Sequence, residues 1–247
     1  MRIRITILGT GTLAEALGRR WAHAGHEITV SGRSVEKAQQ LAQRLGAGAR
    51  AVPLAEIAAV PADGHFAPDA EAATDTATAA GDTGAAGTAD AVLLAVAYTG
   101  VEEILRAVGA PGGALSGLTV IDATNAIDHG VGVLRVPPGT SHAQRVGELA
   151  PGARVVKAFH LFPSEQWAAA ESADTGTTHL PPSVTICGDD PAALRTTEQL
   201  VRDVGAVPVV LGGLDRARQL EEAAGFVISL AFSGVDPSRA VPAMPTR

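Results

Sequence analysis

A chain of 247 residues and 25.0 kDa, 46% of it apolar, has material for one large domain, or for one domain with a small appendage. Its formal charge of -7, with no concentrated basic patch, argues against nucleic acid or an anionic membrane as partner, and its one cysteine, Cys187, leaves no internal disulfide and no thiolate metal cluster. No apolar run reaches membrane-spanning length and "MRIRITILG" enters a strand pattern without a cleavage site, so a soluble cytoplasmic protein is expected.

Strand and helix patterns alternate almost from end to end. "RITILG" precedes a helix over roughly Leu13 to Ala24, and "EITVSG" one over roughly Val35 to Leu45. Then come "AVLLAV" with a helix from about Val101, "LTVIDAT" with a helix before Leu149, and "RVVKAF". The tail adds "SVTICG", a helix from Pro191 to about Asp203, "AVPVVLG" and a last helix from about Arg216. This spacing predicts an α/β fold of Rossmann type, a doubly wound and mostly parallel sheet with helices on both faces. Several strands are continuous apolar runs, as expected when both sheet faces are covered. We expect a dinucleotide-binding domain over residues 1–150 and a smaller α/β extension over 151–247 that completes the sheet and the acceptor site. Between Pro61 and Ala89 the composition turns to Ala, Gly, Thr, Asp and Pro without Lys or Arg, the signature of a flexible acidic insertion. An inert loop is favoured there over a lid.

The first strand runs directly into "GTGTLA", a G-x-G-x-x-A turn that opens a helix. Gly9 permits the tight turn, Gly11 lets the backbone approach a pyrophosphate, and Ala14 lets helix and strand pack closely. With Thr10 between the glycines, the free N–H groups near Thr12 and Leu13 would face the phosphates. The second strand ends in "SGRSVEKA", where a cofactor without a 2′-phosphate would usually be met by Asp or Glu. Ser31, Arg33, Ser34 and Lys37 instead suit a 2′-phosphate, and a cation at a helix start is unfavourable without an anion. NADP(H) is therefore the expected cofactor.

With these residues the chain resembles the NADPH-dependent reductases of the deazaflavin coenzyme F-420, the 8-hydroxy-5-deazaflavin:NADPH oxidoreductases. The likeness runs through "ILGTGTLAEAL", "AGHEITVSGRSVEKA", "AVLLAVAYTGVEEIL", "VIDATNAI", "PGARVVKAFHLFPSE", "VTICGDD" and "LGGLDRARQLE". The resemblance implies that Ala95, Val96, Ala97 and Tyr98 lie along the nicotinamide riboside, and that Asn125 and Ala126 close the same end of the sheet. It also implies a homodimer, to which the apolar second half of the last helix is suited. The family commonly has Pro at the positions of Ala97 and Ala126, and Asn at that of His160. The three departures cluster where open α/β sheets bind ligands, and so bear on the acceptor rather than the cofactor.

Hydride transfer between two stacked flat rings, from NADPH to coenzyme F-420 or a flavin, needs proximity more than catalytic side chains. Small residues such as Ala95, Ala97 and Ala126 leave room for that stack. If the acceptor is instead a ketone or imine, a proton donor is needed, and His160 is the first candidate, with Tyr98 and Lys157 behind it. For Lys157 a structural salt bridge is favoured, and for Tyr98 contact rather than proton donation. A non-catalytic NADPH-binding sensor is the remaining alternative. The histidines His23, His26, His65, His129, His142, His160 and His179 show no metal-ligand spacing. His23 and His26 are expected at the surface, and His129 and His142 in a loop-rich stretch with a minor claim on the substrate.

Overall fold

A computed structural model describes residues 1–57, 89–128, 130–168 and 181–240. The insertion expected over Pro61–Ala89 lies outside the described residues except for Ala89, as do His65, His129 and His179.

In chain order the elements are β1 (Arg4–Leu8), α1 (Thr12–His23), β2 (Glu27–Ser31), α2 (Val35–Leu45), β3 (Arg50–Ala51) and α3 (Leu54–Ile57). They continue with β4 (Ala91–Leu94), α4 (Val101–Ala107), β5 (Thr119–Asp122), α5 (His142–Leu149), β6 (Arg154–Lys157) and α6 (Ser164–Ala168). The chain then forms β7 (Ser183–Gly188), α7 (Pro191–Asp203), β8 (Val207–Gly212) and α8 (Ala217–Phe232). All eight strands lie in one sheet in the order β3-β2-β1-β4-β5-β6-β7-β8. The six strands from β3 to β6 are parallel; β7 meets β6 antiparallel and carries β8 parallel to itself. The fold is thus the mostly parallel, doubly wound α/β sheet of Rossmann type. Residue 150, expected as a domain boundary, falls between α5 and β6 within this continuous sheet.

Strand alternation builds two cores. Ile3, Ile5 and Ile7 pack on one face with Leu17 and Trp21 of α1, Leu41 of α2 and Leu200 of α7. Leu8, Leu94 and Val120 belong to the other face, with Ile104 of α4, Val146 of α5 and Leu220 of α8. Gly18 brings α1 close to the sheet, since a Cβ there would stand 3.0 Å from the Ile7 Cδ1. Burying such strands on both faces is the main source of stability, at roughly 25 cal/mol per Å² of apolar surface.

His26 is buried, contrary to the surface position expected for it. Ile3 N–H donates to its Nδ1 at 3.1 Å, and its Nε2 lies 2.8 Å from Asp203 Oδ2. A buried imidazole needs partners for both ring nitrogens, and these two tie the start of the sheet to the end of α7. Trp21 adds a 2.9 Å bond from its indole N–H to the Leu200 carbonyl. His23, by contrast, is exposed. No described helix is long and apolar enough to cross a membrane.

Candidate active site

Parallel pairing puts the C-terminal ends of β1, β2, β4, β5 and β6 on one edge of the sheet. These strand ends and the segments that follow them carry the residues expected to bind the cofactor or face the acceptor. The strand order reverses direction between β1 and β4, where an open α/β sheet leaves a crevice for ligands.

Gly9 stands at that point. Its φ of +140° is a glycine conformation, and any Cβ would drive into the Ala95 carbonyl, so the turn and the approach of the two strand ends both require it. Its N–H donates to the Ser31 carbonyl at 2.8 Å, while Ala95 N–H donates to the Leu8 carbonyl at 2.9 Å. Thr10 is half-buried against Gly32. Gly11 caps α1 with no side chain bonded to the helix start, and a Cβ there would meet nothing within 4 Å. Gly11 and Thr12 are exposed, Leu13 is half-buried and Ala14 is fully buried against the sheet. An open, uncapped helix N-terminus above a glycine turn can take the two charges of a pyrophosphate.

At the end of β2 the four expected residues separate. Ser31 is buried and its hydroxyl donates to the Val52 carbonyl at 2.7 Å, joining the end of β2 to the segment after β3. Arg33, Ser34 and Lys37 remain towards solvent around the start of α2. Ser34 caps that helix by accepting from Lys37 N–H at 3.2 Å, and its hydroxyl donates to Glu36 at 2.9 Å. Arg33 makes a 3.3 Å pair with Glu103 of α4, with both side chains well exposed. Two carboxylates, Glu36 and Glu103, therefore stand among the residues expected to hold the 2′-phosphate. Exposed pairs of this kind hold weakly, so an incoming phosphate can compete for Arg33. A cleft of about 100 Å³ opens beside Arg33, walled by Val96, Ala97, Thr99, Glu103 and Ile104. A larger cavity of about 330 Å³ between α1 and α6 shares only Thr12 with the glycine turn.

Beyond β4, Ala95 and Val96 are half-buried and Ala97 is exposed. Tyr98 opens a short 3-10 turn over Tyr98–Gly100, and its ring meets His142 edge-on, with centroids 6.1 Å apart and planes at 87°. Ala126 is buried and lines no open surface. Asn125 donates from Nδ2 to the His160 carbonyl at 2.6 Å, so the segments after β5 and β6 are stitched together.

Under this edge lies a buried charge cluster. Lys157 has no exposed surface, and its Nζ lies 3.0 Å from Asp122 Oδ2 and 3.1 Å from Glu221 Oε1, with a further bond to the Thr124 carbonyl. Burial alone would raise the Asp122 carboxyl, but the Lys157 charge and the Thr124 N–H and hydroxyl hold it below the ordinary carboxylate range. Burial likewise opposes the Lys157 charge, which the two carboxylates keep above its ordinary value. The expected structural role of this lysine is what the geometry displays.

His160 follows Phe159, whose φ of +60° is unusual for a bulky residue. That turn buries the Phe159 ring between Trp21 and Trp167, at centroid distances of 5.8 and 5.7 Å. The His160 ring is buried and bonded to the Leu220 backbone, with Nδ1 unpartnered. Burial, and then the nearby Lys157 charge, push the imidazole down to about 3. It is neutral at ordinary pH and holds no imidazolium proton to give away, which weighs against the proton-donor role expected of it.

Residues 4–126 match the family described as NADP oxidoreductase, coenzyme F420-dependent. This part of the chain is similar to that family. The protein is an NADP(H)-dependent oxidoreductase. No curated protein matches this oxidoreductase. Among solved structures, a hypothetical protein from Sinorhizobium meliloti is 27% identical, with a TM-score of 0.63 over 87% of this chain and 86% of its own. A protein from Arthrobacter described as a "putative F420 dependent NADP-reductase" is 23% identical, with a TM-score of 0.68 over 94% and 96% of the two chains. The reductive aminase from Aspergillus terreus, solved with NADPH and ethyl levulinate, shares the fold at 19% identity and a TM-score of 0.57, over 95% of this oxidoreductase and 63% of its own length.

Two residues that matter at this edge, Asp122 and Glu221, were not singled out for it, and His142 was given only a minor claim on the substrate in a loop-rich stretch, whereas it opens α5. Asp122 had a signal, as a carboxylate closing an apolar strand. His142 had one in "SHAQ", whose Ser141 and Gln144 form a capping box and so fix the start of α5. Glu221 had none, because nothing in a helical "QLEEA" says which glutamate turns inward.

Proposed function

We propose that this oxidoreductase passes a hydride between NADPH and a flat acceptor, either the deazaflavin coenzyme F-420 or a flavin. One observation carries the reading: the edge expected to hold the nicotinamide offers small side chains and a neutral, pinned histidine rather than a charged acid. Ring-to-ring hydride transfer asks for little else, since the acceptor supplies its own electron sink. In this reading the Gly9–Leu13 turn takes the pyrophosphate, Arg33 with Ser34 and Lys37 takes the 2′-phosphate, and the Ala95–Tyr98 segment and Asn125 border the nicotinamide. Bound NADP(H) supplies the hydride. The chain's own residues orient the ring and keep water from it.

A second reading, reduction of a ketone or imine, draws support from the Tyr98–His142 contact at the same edge. A phenol can give a proton where His160 cannot. We further propose that the active form is a homodimer. The exposed apolar side chains Phe226 and Phe232 on α8, and Val207, Val209 and Val210 on β8, support a covered face there.

The test is NADPH oxidation by the purified protein with coenzyme F-420, FMN, a quinone, a cyclic imine and a ketone in parallel, repeated with NADH and with Arg33→Ala. The proposal expects turnover with a flat acceptor and a preference for NADPH that falls about tenfold or more in the variant. Turnover confined to the imine or ketone would overturn it in favour of the second reading. NADPH binding without turnover across the panel would leave only a sensor.

A further inference from the structure

Lys157 needs one carboxylate to balance its charge, and Asp122 provides it. Glu221 brings a second carboxylate into the same place, 3.1 Å from the ammonium and with no exposed surface. Stripping a further charge of water is costly, and an apolar side chain from α8 would fill the space without that cost. The second carboxylate therefore calls for a reason beyond charge balance.

Its two oxygens answer the question. Oε2 accepts the His142 N–H at 2.8 Å and Oε1 the Ala143 N–H at 3.0 Å, the first two donors of α5. The other two are held by a reciprocal pair at the cap: the Ser141 hydroxyl accepts from Gln144 N–H at 3.1 Å, and the Ser141 N–H donates to Gln144 Oε1 at 2.9 Å. All four donors that a helix leaves open at its start are thus occupied, two of them by a residue from the far end of the chain. The contrast with α1, which no side chain caps, separates a helix start built to receive a ligand from one built not to move. What this rigid turn carries is the His142 ring, buried and set edge-on against Tyr98.

We propose that Glu221 is a positioning residue: through the first turn of α5 and the His142 ring, it fixes the orientation of Tyr98. The last helix thereby shapes the nicotinamide end of the site without touching it. That final step rests on the proposed placement of Tyr98 beside the nicotinamide; the chain of contacts from Glu221 to Tyr98 does not.

Tyr98 is the only tyrosine in the sequence, so full-length protein labelled with 3-fluorotyrosine gives one fluorine resonance that reports on this ring alone. Glu221→Gln should displace that resonance and raise the acceptor KM several-fold, with the NADPH Kd unchanged within about twofold. In a His142→Leu background, where the intermediary ring is gone, adding Glu221→Gln should change neither further. If Glu221→Gln does not fold, Glu221→Asp, which keeps the charge and shortens the reach, takes its place with the same expectations. An unmoved resonance overturns the proposal whatever the kinetics do, and so does an effect undiminished in the His142→Leu background. A displaced resonance with an unmoved KM upholds the positioning of Tyr98 and overturns its placement beside the nicotinamide.

Discussion

A histidine that cannot hold a proton in the folded state records its burial in the acid stability of the whole protein. His160 titrates at about 3 when folded, against an ordinary value near 6.5, because it is buried and lies near Lys157. Between those two values the unfolded chain binds a proton that the native state refuses, so stability is full above about pH 6.5 and falls as the pH drops towards 3. His160→Asn should flatten that fall by up to about 1.4 kcal/mol per pH unit, read from urea midpoints across the window. Carboxylates held low, such as Asp122, contribute equally to both proteins and cancel in the comparison. At this scale the sequence was legible where a residue type answers a backbone demand. Gly9 could be read because its turn and its contact with Ala95 exclude every side chain, and Lys157 because an ammonium ending a buried strand must find a carboxylate. Ser31, Glu36 and His160 were not legible in this way, since whether a polar side chain turns to solvent, to the backbone or to a ligand is decided by neighbours far along the chain.

Among the elements, most strands and the long helices could be placed from the alternation of apolar runs with 3.6-residue patterns. α2 and α7 begin and end as read, because Ser34 and the Asp190–Pro191 pair are strong start signals. The two-residue β3 gives no periodicity to detect. The reversal at β7 was equally hidden, because an apolar strand reads the same in either direction and only its pairing, Val156 with Gly188 and Lys157 with Cys187, discloses its sense. That pairing has a chemical effect. Burial at the β6–β7 junction pushes the Cys187 thiol up to about 12, so hardly any thiolate forms at neutral pH. Iodoacetamide should leave the native protein unmodified and add a single adduct once denaturant opens this junction. Adduct formation at the rate of a free thiol without denaturant would show that β7 leaves its partner far more readily than its packing implies.

For the molecule as a whole, the sheet is one object although the family match covers only residues 4–126. Fold class could be read from end to end because each strand–helix unit repeats the same physical requirement, an apolar ribbon shielded on both faces. The acceptor could not, because the side chains of the candidate site are brought together from β4, β5, β6, α5 and α8. Here the buried cluster has a bearing on biosynthesis. Asp122 leaves the ribosome early and is laid into the middle of the sheet, yet its ammonium comes with β6 and the second carboxylate only with α8. Nascent chains that end at residue 126 should therefore remain open to protease and show no cooperative unfolding, with protection arriving only after Glu221 has emerged. The final helix thus completes the cluster last, and a truncated product should betray itself by the charge it cannot bury.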